Sequence, residues 1–114
     1  MSRTQLSAYK RNLVYNMLNG NCAYCGNLLD KSDFHADHIV PYNKTGDNSL
    51  ANLLPACPKC NMIKGGRSIE EFREYICTKI LDGTQGYLIS RFYDFRPTKV
   101  QFYFEKVRKE ITNG

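Results

Sequence analysis

The sequence predicts a small α+β domain, and three observations carry the prediction. Cysteines recur as two Cys-x-x-Cys pairs, Cys22/Cys25 and Cys57/Cys60. A short strand-like segment, His35-Ala-Asp-His-Ile-Val40, is β-branched at its end and stopped by Pro41. Apolar residues recur at helical spacing on both sides of this middle region. With 114 residues there is room for one domain and a modest core, so a metal staple between the cysteine pairs would supply a large share of the stability. Zinc is the expected ion, because disulfides belong to secreted chains and the start, MSRTQLSAYKRN, has no apolar h-region. The expected organisation is a single domain over 1–114, with an N-terminal helix (1–20), a stapled core (21–66) and a helix plus aromatic, basic extension (67–114).

In order along the chain, Leu6, Tyr9, Leu13 and Met17 predict one buried stripe on a helix over Thr4–Leu18, with Gly20 as its C-terminal cap. Its basic residues, Arg3, Lys10 and Arg11, read first as a solvated face, with phosphate contact as the alternative. Asn21-Cys-Ala-Tyr-Cys-Gly26 looks like a metal knuckle, with glycine after the second thiolate so that the backbone turns its amides toward sulfur. Residues 28–34 are turn-like and return the chain to the His35 strand. A loop over Asn43–Asn52 collects Gly46, Asp47, Asn48 and Ser49, which bond their own backbone or tolerate left-handed dihedrals. A helix then begins at Cys57-Pro58, since proline at the first helical position loses no hydrogen bond. Cys57, Cys60, Asn61 and Lys64 fall on one stripe of it.

Ser68-Ile-Glu-Glu71 is a capping box for a helix to about Leu81, with Ile69, Phe72, Ile76 and Ile80 buried. Glutamates near its positive end stabilise it and make it a poor contact for a polyanion. Cys77, inside that helix, reads as a buried free thiol. Tyr87–Phe95 predicts an extended piece, and Pro97–Ile111 a helix with Val100, Tyr103, Phe104, Val107 and Ile111 on one side. Aromatics interleaved with Arg91, Arg96, Lys99, Lys106, Arg108 and Lys109 could stack on nucleic acid, but packing against the N-terminal helix is the expectation in so small a domain.

A net charge of +5 with a pI near 9.0 favours a polyanionic partner, though many basic proteins bind none. No apolar run approaches membrane-spanning length, so no membrane partner is expected and a cytoplasmic location is the default.

Asp37-His38-Ile-Val-Pro41, a downstream Asn52, and Cys57-x-x-Cys60-Asn61 with Lys64 together resemble the HNH, or ββα-metal, nuclease family over roughly Asn21–Gly66. One departure is visible: Asn61 stands where the name-giving motif ends in histidine, as in phage junction-resolving nucleases and the HNH domain of RNA-guided DNA nucleases. The resemblance implies a zinc-stapled ββα-metal core held by Cys22, Cys25, Cys57 and Cys60. It also implies cleavage of DNA, expected as the double-stranded form, to 5′-phosphate and 3′-hydroxyl ends. His38 suits the general base, because imidazole titrates near neutrality. Asp37 and Asn61 would hold the hydrolytic ion, Mg²⁺ or Mn²⁺ given their oxygen donors. Asn52 would brace the loop and orient the imidazole, Lys64 would reach a phosphate, and His35 either lines the site or is an ordinary strand residue. Adjacent strand residues face opposite ways, so Asp37 and His38 can serve one phosphate only if the strand bends or ends there, or if they flank it. The alternatives are a non-catalytic zinc-knuckle module that binds nucleic acid, and a ribonuclease on structured RNA. A homodimer or a larger host complex is left open.

Overall fold

A computed structural model describes residues 6–41, 44, 46–82, 94–96 and 99–113. Helix α1 (Ala8–Asn16) starts at Ser7, whose hydroxyl accepts from the Lys10 amide at 3.1 Å. It leads through the cysteine knuckle to strand β1 (His35–His38), then through a loop and a 3₁₀ turn (Leu50–Asn52) to strand β2 (Leu53–Ala56). Helix α2 (Pro58–Lys64) follows at once, then α3 (Ile69–Asp82), a hairpin of β3 (Asp94–Arg96) and β4 (Lys99–Gln101), and α4 (Tyr103–Asn113). Helices with small antiparallel sheets make this an α+β fold. None of the described helices is long and apolar enough to cross a membrane.

Strands β1 and β2 pair antiparallel, with His35 opposite Ala56, Asp37 opposite Leu54 and His38 opposite Leu53. With α2 they form a ββα hairpin. Its second strand was implied by the family resemblance alone, because Leu53-Leu-Pro-Ala56 has no alternation: it is buried at every position, and the buried Pro55 sits where its missing N–H leaves no ladder bond open. Helix α2 begins where expected. Cys57 is its N-cap, with Sγ accepting from the Cys60 amide, and Pro58 follows in the first turn.

Three expected elements differ. Strand β1 stops at His38, two residues short of the expected end at Val40. Helix α1 buries Val14, and the turn after it Leu18, instead of Tyr9 and Met17, which are 74% and 36% exposed. The helix offers two weak apolar stripes, and the one facing the sheet prevails because Tyr15 packs on Phe34 (ring centroids 5.5 Å apart) and Arg11 lies over the same ring at 4.0 Å. Helix α1 ends at Asn16, earlier than expected, and Gly20 closes the following turn at φ +81°, where a Cβ would lie 2.9 Å from the Tyr15 hydroxyl. In the tail, the residues around Val100 form a strand rather than a helix. Val100, Phe102 and Phe104 are buried in period two across the strand end, a pattern that the helical spacing of Tyr103 and Val107 disguises. The expected strand over Tyr87–Phe95 lies outside the described residues except at Asp94 and Phe95, which belong to β3.

Among the described residues, the tail aromatics Phe102 and Phe104 pack elsewhere than on α1. The rings of Phe102 and Phe104 both meet Tyr24 of the knuckle, and Phe102 also stacks on Phe72 of α3. Arg73 fastens this layer, bonding Glu105 at 2.6 Å and the Val100 carbonyl at 2.6 Å. The capping box closes α3 as read: Ser68 N–H donates to Glu71 at 2.9 Å, and Glu71 N–H to the Ser68 hydroxyl at 3.1 Å. Phe72 and Ile76 are fully buried, and Cys77 is half-buried against the core.

Candidate metal centre and active site

The knuckle and the start of α2 bring four cysteines together. The Sγ atoms of Cys22, Cys25, Cys57 and Cys60 all lie within 4.8 Å of one another, with Cys25 and Cys57 3.9 Å apart. A tetrathiolate site with Zn–S near 2.3 Å needs sulfurs about 3.8 Å apart, so the spacing fits a tetrahedral ion. Amides are aimed at the sulfurs as well: Tyr24 and Cys57 donate to Cys22 Sγ, and Cys60 to Cys57 Sγ, each at 3.4 Å. Gly26, at φ +81°, makes the turn that allows this, and Tyr103 packs where its Cβ would stand. Without a cation the four groups conflict. Contact with Cys22 holds Cys57 low and pushes Cys25 and Cys60 up, while the Cys25 contact brings Cys22 to about 7. A bound divalent cation removes that conflict by holding all four as thiolates.

A groove of about 550 Å³ runs beside the hairpin, lined by Arg11, His35, Asp37, His38, Asn61 and Lys64 among others. Asp37 and His38 both line it, as do His35 and Ala36, so the groove takes in side chains from both faces of β1. Asp37 is buried, and its Oδ2 accepts from the Tyr24 hydroxyl and from Lys64 Nζ, the latter at 3.1 Å. Burial first, and then the Asp37 charge, raise the Tyr24 phenol well above its ordinary range, so it stays a proton donor. Lys64 is 1% exposed and also donates to the His38 carbonyl at 3.1 Å. Its ammonium is therefore engaged on Asp37 and on the His38 carbonyl, at the wall of the groove.

His38 Nε2 lies 2.7 Å from Asn48 Oδ1. Asn52 is buried at the loop base. Its Oδ1 accepts from the Val40 amide at 2.8 Å, and its Nδ2 donates to the carbonyls of Val40 and Asp47 at 3.1 and 2.9 Å. The two tasks assigned to Asn52 are thus divided: Asn52 braces the loop and Asn48 contacts the imidazole. Asn61 is half-buried on the groove side of α2, and His35 is exposed at its rim.

A sequence profile described as HNH endonuclease matches residues 22–67, the stretch that holds the four cysteines, the hairpin and α2. This segment is an HNH endonuclease domain. The chain is also similar to YoqL, an SPbeta prophage-derived protein of Bacillus subtilis named as an HNH endonuclease, at 28% identity over 89 residues, covering 61% of this chain and 37% of that protein. It is 44% identical over 48 residues to the CRISPR-associated endonuclease Cas9 of Corynebacterium diphtheriae, covering 41% of this chain and 4% of Cas9. The chain therefore spans well under half the length of either relative.

Two side chains at or beside the HNH groove, Tyr24 and Asn48, escaped the sequence reading, and Arg11 entered it first as part of a solvated face. Tyr24 could have been found by asking where a tyrosine between two metal-ligating cysteines sends its hydroxyl, since a buried phenol needs a partner. Arg11 shares a helical stripe with Val14 and Leu18, so choosing that stripe would have turned it inward, where it bonds the Phe34 carbonyl at 2.6 Å. Asn48 carried no signal beyond its place in a turn-rich loop.

Proposed function

We propose that this chain is a metal-dependent endonuclease that hydrolyses phosphodiester bonds of double-stranded DNA, with His38 as general base. In this reading Asp37 and Asn61 hold one Mg²⁺ or Mn²⁺, and the four cysteines hold a structural Zn²⁺. The observation that carries it is the meeting of His38, Asp37 and Asn61 on one groove of an HNH domain. Asn48 Oδ1 is an acceptor, so Nε2 carries the proton in that contact and Nδ1 is the basic nitrogen. Nδ1 takes the proton of the attacking water as its oxygen bonds to phosphorus. The bond from phosphorus to the 3′-oxygen breaks, leaving a 5′-phosphate and a 3′-oxygen that takes a proton from solvent water to become the hydroxyl. The ion, when bound, stabilises the charge of the pentavalent phosphate and of the leaving oxygen.

Hard oxygen donors at Asp37 and Asn61 suit Mg²⁺ or Mn²⁺. The Lys64 ammonium beside Asp37 cancels much of the carboxylate charge, so the substrate phosphate completes the attraction for the ion. Arg11, at the groove wall, offers a guanidinium to the same strand. One such site addresses one phosphate at a time, so a single chain nicks.

The test is digestion of supercoiled plasmid with Mg²⁺, scored for nicked against linear product, beside structured RNA. Nicked circles from the wild type and none from His38→Ala, with zinc content and DNA binding unchanged, are the expected outcome. Cleavage of RNA alone would move the substrate, and equal cleavage by His38→Ala would remove the base assignment.

A further inference from the structure

We infer that Tyr24 is a positioning residue for Asp37, and that the segment beyond the HNH match acts on the groove through it. The inference rests on the reading that Asp37 is a ligand of the hydrolytic ion. Both contacts to the Asp37 carboxylate, the Tyr24 hydroxyl and Lys64 Nζ, load the same oxygen, Oδ2. That fixes the rotation of the group and leaves Oδ1 as the oxygen offered to a cation. The two donors are not equivalent. An ammonium is a point charge with rotatable hydrogens on a long stem, whereas a phenol donates along a direction set by its ring.

The ring itself is held from several sides. Phe72 and Phe102 meet it edge-on at 5.3 Å each, and Phe104 at 6.2 Å. The main chain is pinned as well: Tyr24 N–H points at Cys22 Sγ at 3.4 Å, the Tyr24 carbonyl accepts from the Tyr103 amide at 3.1 Å, and the Ala23 carbonyl accepts from the Phe104 amide at 2.7 Å. Phe72, Phe102, Tyr103 and Phe104 all lie past residue 67, where the HNH match ends. The cysteine centre and the C-terminal segment thus converge on one side chain whose hydroxyl ends on Asp37. A core tyrosine with a merely satisfied hydroxyl would affect stability on losing it, but would leave the metal response of the groove unchanged.

The experiment measures Mn²⁺ binding by electron paramagnetic resonance in the presence of a DNA duplex, with every variant built on His38→Ala so that no substrate is consumed. Tyr24→Phe keeps the ring and removes the donor. It should weaken Mn²⁺ binding by about tenfold, the lower end of what lost support around a metal ligand costs, at unchanged zinc content and unchanged metal-free DNA affinity. Phe102→Leu should give a smaller loss in the same direction, and none beyond it in the double variant, because its effect passes through the hydroxyl. Wild-type Mn²⁺ binding by Tyr24→Phe overturns the inference. A full additional loss from Phe102→Leu in the Tyr24→Phe background overturns the part that involves the C-terminal segment. If Tyr24→Phe loses zinc, Phe102→Leu alone decides: weaker Mn²⁺ binding at full zinc content supports the inference, and unchanged binding overturns it. Asp37→Asn is the control that separates the two levels. Undiminished Mn²⁺ binding there removes Asp37 from the ion, whereas impaired binding there with normal Tyr24→Phe binding removes only Tyr24.

Discussion

The two candidate metal centres of this chain are built on opposite plans. The cysteine quartet gathers four soft ligands within 4.8 Å of one another, with Cys22 and Cys60 buried and backbone amides already aimed at sulfur. The groove beside it offers Asp37 and Asn61, hard donors, and Asp37 is already shared with Lys64 and Tyr24. A closed set of this kind serves folding, and an open one leaves coordination positions for water and substrate. The lesson is that preorganisation takes different forms: in the quartet the four sulfurs already stand at the spacing of a tetrahedral ion, and in the groove Tyr24 and Lys64 hold the Asp37 carboxylate in place.

The sharpest way to break the comparison is to break the quartet. Cys60→Ser should leave the chain largely unfolded, since a structural zinc of this type contributes on the order of 10 kcal/mol to folding. Elemental analysis and a melting curve check it, and a cooperative melt like the wild type would place the quartet outside folding. His38→Ala should do the reverse. It should lower the rate by about 10² to 10⁴-fold, the usual contribution of a general base, while zinc content and melting temperature stay put.

A smaller effect sharpens the hard-donor side. Asn61→Ala should weaken Mg²⁺ dependence by about ten- to a hundredfold. Asn61→His should raise cleavage with Ni²⁺ or Co²⁺ relative to Mg²⁺, because imidazole is the softer donor. Metal-titrated digestion distinguishes them, and an Asn61→Ala enzyme with unaltered Mg²⁺ response would take Asn61 out of the groove chemistry.

The smallest effect lies away from both centres, in the capping box of α3. The backbone N–H and the side chain of Ser68 hold the Glu71 carboxyl below its ordinary value of 4.5. A lowered folded value means a stabilisation fully present above about 4.5 and lost as pH falls through the folded value. Glu71→Gln keeps an acceptor but cannot titrate. The gap in stability between it and the wild type should therefore narrow on acidification below that range, and urea melts at neutral and acid pH would show whether it does.

What was legible in the sequence was whatever short-range pattern determines. Paired cysteines, a helix opened by Cys57-Pro58 and the Ser68 to Glu71 box each have a local physical cause, and each is found where its residues placed it; the strand at His35 starts as read but stops at His38, before Pro41. What escaped depends on distant partners. Which stripe of α1 turns inward is decided by Phe34 and the sheet, the strand at Val100 by burial against the aromatic layer, and the pairing of Lys64 by a carboxylate on another element. Tyr24 and Asn48 were missed for the same reason: their neighbours in sequence are not the groups they serve.

The quartet also has a topological consequence. Cys25 and Cys57 lie on either side of β1, so a metal bound by both closes the intervening chain into a ring, and the strand that carries Asp37 and His38 lies on that ring. A single cut opens that ring but leaves its two halves joined through the metal. A protease that opened the exposed turn at Asp30–Ser32 would produce two pieces still clasped through sulfur, with the hairpin in register, and the cut would separate them only after the metal had left.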